Sequence, residues 1–204
     1  MQADEEADRE ESVYSAAVRL GYESYTAFVE DFSSESDRAA VILGASRLDL
    51  GLRNLLQHVL LPNPSGRDEL LDGEGPLSTF SARIHAAYRL GLITPEFARS
   101  LHLVRRIRNE FAHETASSSL DSGAHRDRVR ELARPFIHQP GYVAYRDRGF
   151  SEFDAAAREF RALVANFVIR LDGAEDYMRP VVSPTAITEA PNRWSDGGGE
   201  AQRE

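Results

Sequence analysis

Cysteine is absent from all 204 residues, which excludes a disulfide framework, thiolate-bound zinc and a thiol nucleophile. Lysine is absent too: the 24 basic side chains are all arginine, a bias for which GC-rich codons are a sufficient explanation. No apolar run approaches the roughly 18 residues of a membrane span. The N-terminal stretch MQADEEADREES is acidic rather than basic and apolar, so it does not read as an export signal. A soluble, cytoplasmic protein with no membrane contact is expected. His85, His125 and His138 show no ligand spacing with a carboxylate or another histidine, and His58 falls on the polar side of its helix, so neither a metal nor a cofactor is expected. The Gly-rich DGEGP has neither the Lys nor the strand-to-helix context of a phosphate loop and reads as a turn. No serine-nucleophile motif is present.

What is there is charge, unevenly spread. The net charge is -9, and so acidic a chain has no overall field drawing it to nucleic acid. Between Arg99 and Arg134, however, eight Arg stand against five acids, a net of +3, which leaves -12 for the rest. Such a block is either a solvated helix face or a local track for RNA.

The length suits one medium domain with tails. Residues 1–12 are acidic and apolar-poor, and residues 179–204 mix Pro, Gly and polar residues without period, so both read as disordered tails around a single helical domain over 13–178. Apolar spacing within that domain is helical almost throughout, with no alternating strand pattern. The expected class is all-α, a bundle of about five to seven helices. Helices are predicted over about 23–32, 35–61, the stretch LSTFSARIHAAYRLGLI ended by Gly91, 94–113, 124–134, and FSEFDAAAREFRALVANFVIRLD. Thr94-Pro95-Glu96 is a capping hydroxyl, a first-turn proline and an acid at the positive helix end. Pro140-Gly141 is expected to break the chain. Ser151 and Asp154 form a capping pattern for the last helix, whose Phe153, Ala157, Phe160, Val164, Phe167 and Leu171 make one apolar stripe.

The segment RRIRNEFAH, Arg105 to His113, is the most chemically suggestive. At about 100° per residue, Leu101, Leu103, Val104, Ile107 and Phe111 form the core face of its helix. His102, Arg105, Arg106, Asn109 and His113 lie opposite, with Asn109 and His113 one turn apart and Arg108 on the flank. Two readings stand. In one, positive side chains offset the negative end of the helix and His113 caps free carbonyls. In the other, the segment cleaves RNA without metal: Arg108 holds the phosphate, Asn109 positions the site and His113 exchanges the proton. Because about 140° separates Arg108 from His113 on one helix, that site needs the helix to unwind or a partner subunit to supply a second copy.

A second constellation centres on Asp49, which falls in line with Ile42, Ala45, Leu52, Leu56 and Leu60. A carboxylate on such a face needs a partner. The expected ion-pair set is Asp49, Arg83 and Arg38. Arg38 is about 16 Å away along the axis, so Arg83 or Arg108 from another helix is better placed.

The blocks ESDRAAVILGASRLDLGLRNLL, GPLSTFSARIHAAYRLGLI and HLVRRIRNEFAH, in that order, resemble the mannitol operon repressor family, the MltR-like proteins, over about residues 25 to 115. The pattern falls on Glu35, Ser36, Asp37, Arg38, Asp49, Gly75 to Phe80, Arg83, Arg108, Asn109 and His113. The resemblance implies an all-helical fold associated as dimers or larger oligomers, and a role in regulating gene expression. It brings no helix-turn-helix, so regulation through a protein partner, without direct sequence-specific DNA binding, is what it implies. From about Ser117 the chain departs from the family. RNEFAH also resembles the Arg-x4-His motif of the HEPN superfamily, which includes dimeric, metal-independent ribonucleases with the motif at the dimer interface. The leading expectation is a non-enzymatic regulator with its binding face at His102, Arg105 and Arg106; the alternative is an endoribonuclease using Arg108, Asn109 and His113.

Overall fold

The computed structural model describes residues 26–180, apart from 27, 31, 64, 65, 115–117 and 177. Both expected tails therefore lie almost wholly outside the described residues. Six α-helices and no strand occur among the described residues: α1 Asp37–Val59, α2 Phe80–Arg89, α3 Pro95–His113, α4 Gly123–Ala133, α5 Pro140–Gly149 and α6 Ala155–Asp172, with a 3-10 turn at Gly173–Asp176. Residues 26, 28–30, 32 and 33 are also helical and fall in the region of the short helix expected over 23–32. The class is all-α.

Local chemistry starts three of these helices. The first amides of a helix have no partner inside it; the Ser36 hydroxyl accepts from the Ala39 N–H, Thr79 from Ala82 and Thr94 from Phe97. Two starts differ from expectation. Pro140-Gly141 does not break the chain but opens α5, because a proline in the first turn has no hydrogen bond to lose there. The Ser151–Asp154 capping pattern does not form. Asp154 is the N-cap of α6, but its side chain makes no capping bond. Instead the Asp121 carboxylate, from the loop before α4, accepts from the Ala156 and Ala157 N–H groups at 2.8 and 3.1 Å.

The bundle is organised on α1 and α6, the pair with the most extensive contact, with α2 and α3 against α1 and with α4 and α5 against α6. Burial on α6 extends well beyond the single stripe expected, taking in Arg161, Ala162, Leu163, Ala165, Asn166 and Val168. A helix enclosed on nearly all sides is a central one. Small residues allow its close approach to α1: a Cβ on Gly44 would lie 2.9 Å from Val164 Cγ1, and one on Gly51 would lie 3.1 Å from Leu171 Cβ.

A buried polar hub ties the start of α1 to α6. Arg161, 1% exposed, donates to Asp37 Oδ1 at 2.9 Å and to the Glu35 carbonyl at 2.8 Å. Its guanidinium carbon lies 4.1 Å from the centre of the Phe153 ring. Asp37 Oδ2 accepts from the Leu120 N–H at 2.9 Å and the Ser119 hydroxyl at 3.1 Å, so one carboxylate joins α1, the loop before α4, and α6. Charges removed from water this far persist only when paired and hydrogen-bonded.

Candidate functional site: the polar face of α3

Ala98, Leu101, Val104, Ile107 and Phe111 bury one side of α3, and that burial fixes what the other side presents. Arg99, His102, Leu103, Arg105, Arg106, Asn109, Glu110, His113 and Glu114 line an open groove of about 640 Å³ along it. Leu103, expected in the core, is partly buried at the edge of this groove. The sequence-derived set His102, Arg105, Arg106, Asn109 and His113 is thus gathered on one surface. His113 stands exposed on the last turn.

The two acids in the groove are already engaged. Glu110 receives Arg128 from α4 and, at 3.4 Å, Arg106. Glu114 lies 2.8 Å from His125 Nε2, and hydrogen bonds from Ser118 and then His125 hold its carboxyl below the usual range. Arg99, Arg105 and Arg108 make no ion pair among the described residues. At the other end of the groove the rings of His85, from α2, and His102 lie 4.8 Å apart. Burial, then the neighbouring His85 and Arg105, lowers the His102 pKa from its ordinary value of 6.5.

Asp49 is paired with Arg83, Nη1 to Oδ1 at 2.7 Å, and the other guanidinium nitrogen donates to the Leu71 carbonyl at 3.1 Å. Arg38 is not in this pair, which corrects its place in the expected set. It lies too far along α1, and it donates instead to the Glu114 carbonyl at 2.8 Å and the Ala112 carbonyl at 3.4 Å. Those are carbonyls at the end of α3, so the cationic cap of this helix end comes from Arg38 on α1. Arg108 is exposed and donates to Asn109 Oδ1 at 3.1 Å.

The residue that sequence reasoning missed is His125. Its ring is buried, lies 4.4 Å from that of Phe111 and faces Glu110 as well as Glu114. Its position on α4, one turn before Val129 on the apolar side, was the available signal. Among the described residues no group of three or more His, Asp or Glu is placed to hold a metal ion, and no helix is long and apolar enough to cross a membrane. Compared with known proteins, the chain matches no family model, no curated protein and no solved structure.

Proposed function

We propose that the protein is a non-enzymatic, MltR-like regulator that works as a homodimer and binds a protein partner through the polar face of α3. The observation that carries this reading is the groove itself: basic at Arg99, Arg105 and Arg106, open, and lined by residues of α3 and its C-cap. Its shape suits an acidic protein surface, where charge complementarity sets register and on-rate. Exposed Leu43 and Leu50, 49% and 45% accessible on the outer side of α1, support association of two copies. The test is crosslinking of the full chain in cells, beside an Arg99→Glu/Arg106→Glu variant. Partner crosslinks are expected to map to α3 and to disappear in the variant; an unchanged partner set would sink the reading.

A second reading is favoured by one observation. Since Arg83 occupies Asp49, Arg108 is left on the surface in contact with Asn109, on the same helix end as His113. A metal-independent ribonuclease would use Arg108 for the phosphate, Asn109 for positioning and His113 for proton transfer, the second copy completing the site. Cleavage of mixed single-stranded RNAs in EDTA, lost in a folded His113→Ala variant, would establish it and displace the regulator reading. No cleavage by either protein would remove it.

A further inference from the structure

We propose that His85, His102 and Arg105 form a site for a phosphate-type dianion, and that the anion enters together with a proton taken up from solvent. Three groups able to carry positive charge converge here. The two imidazoles are in ring contact, 4.8 Å between centroids and tilted by 49°. Arg105 lies one turn on from His102 and close enough to act on it electrostatically. Its Nε is buried without an acceptor among the described residues. No described carboxylate pairs with any of the three. The acids of the groove lie toward the other end of α3, taken by Arg106, Arg128 and His125.

Like charges in contact are stable only if some are discharged or if an anion sits between them. The protein takes the first course: burial, His85 and Arg105 favour the neutral form of His102. A bound dianion allows the second: it reverses the field at His102, raises its proton affinity and so takes up a proton. The neighbouring elements reinforce this. One helical turn from His85 on α2 stand Tyr88 and Arg89, and one turn from His102 on α3 stand Arg99, Arg105 and Arg106. From α4, Arg128 is turned onto Glu110, and from α1, Arg38 is on the last carbonyls of α3.

Phosphate fits better than a carboxylate. A guanidinium fork and two ring N–H donors on different helices match oxygens pointing several ways. The second ionisation of a phosphate monoester, with a pKa of about 6, falls in the range where histidine titrates. A phosphorylated metabolite and a phosphorylated side chain share this chemistry. This proposal goes beyond partner binding and does not rest on it.

The experiment follows the His102 ring proton by NMR across pH 5 to 8, with and without sulfate, a dianion that does not itself titrate in that range. Without sulfate, His102 is expected to titrate below the ordinary histidine range, and with sulfate above that position. Sulfate affinity is expected to rise by up to about tenfold per pH unit as pH falls through the titration. His102→Gln and His85→Gln, each checked for fold by circular dichroism, are expected to weaken binding at pH 6 at least tenfold and to flatten the pH dependence. A His102 titration unmoved by sulfate, or equal binding in both variants that fades with sodium chloride alone, overturns the site in favour of a diffuse basic surface. Phenyl phosphate and a phosphoserine peptide then separate the sources: tighter binding of the peptide assigns a phosphorylated protein, tighter binding of the small ester a free metabolite. Both readouts use the isolated chain, so failure here leaves the partner reading standing, and failed partner crosslinking leaves this site standing.

Discussion

Arg161 illustrates what a single enclosed charge demands of its surroundings. Removal of Asp37 leaves a guanidinium out of water without its counter-charge, a loss of about 3–5 kcal/mol by the behaviour of broken buried pairs. Asp37→Ala and Arg161→Met should each show a loss in urea unfolding, while Asp37→Ala/Arg161→Met should lose less than the sum of the two. Additive losses would mean that the pair is not coupled. Tyr142 carries a different dependence. Its ring is fully buried, and burial, then the charge of Glu159, raises the hydroxyl to about 12 from 10.0. The unfolded chain ionises first, so the stabilising effect is complete below pH 10 and is lost as pH rises from 10 to about 12. Thermal unfolding across that window should fall less steeply in Tyr142→Phe; identical slopes would refute the assignment. At this scale the sequence was only half legible. Asp49 stood out as an acid in an apolar line, but Arg83 and Arg108 were equally eligible until helix packing chose between them. Arg161 gave no warning, since rotation along one helix says nothing about which carboxylate another helix brings to it.

The start of α3 at Thr94 was legible because its capping is local. Ser36, Thr79 and Thr94 each accept from an amide three residues on, a relation contained in a few consecutive letters. Where the cap comes from elsewhere, the same rule misleads. Asp154 has the right identity in the right place, yet Asp121 holds the first amides of α6. Asp121→Ala should therefore cost about 1–2 kcal/mol, measured by chemical denaturation, and Asp154→Ala clearly less; the reverse order would show that Asp154 is the working cap. Pro140-Gly141 was ambiguous for another reason. The same proline ends one helix or begins the next, and only the packing of α5 against α6 decides.

For the whole molecule, periodicity was enough to give the all-α class, because a repeat of 3.6 residues is a property of each segment alone. The groove was legible as a list of residues on one side of α3, but its openness was not. That depends on where the neighbouring helices stop. The unevenness of charge belongs to the same scale: a chain of net charge -9 keeps Arg99 and Arg105, without an ion pair among the described residues, on one helix face, which concentrates attraction for anions where general repulsion would otherwise prevail. The Asp37–Arg161 hub joins residues 124 positions apart in sequence, and closing so long a loop before its reward arrives is entropically costly. A buried ion pair needs its geometry complete before it stabilises, so the contact is expected to form after α1 and α6 have met through their apolar faces. Stopped-flow measurements on Arg161→Met should accordingly show faster unfolding with little change in the folding rate. A marked slowing of folding would move the hub into the nucleus. If it forms last, the hub acts as a latch on the finished bundle and governs how long the molecule stays folded rather than how it gets there.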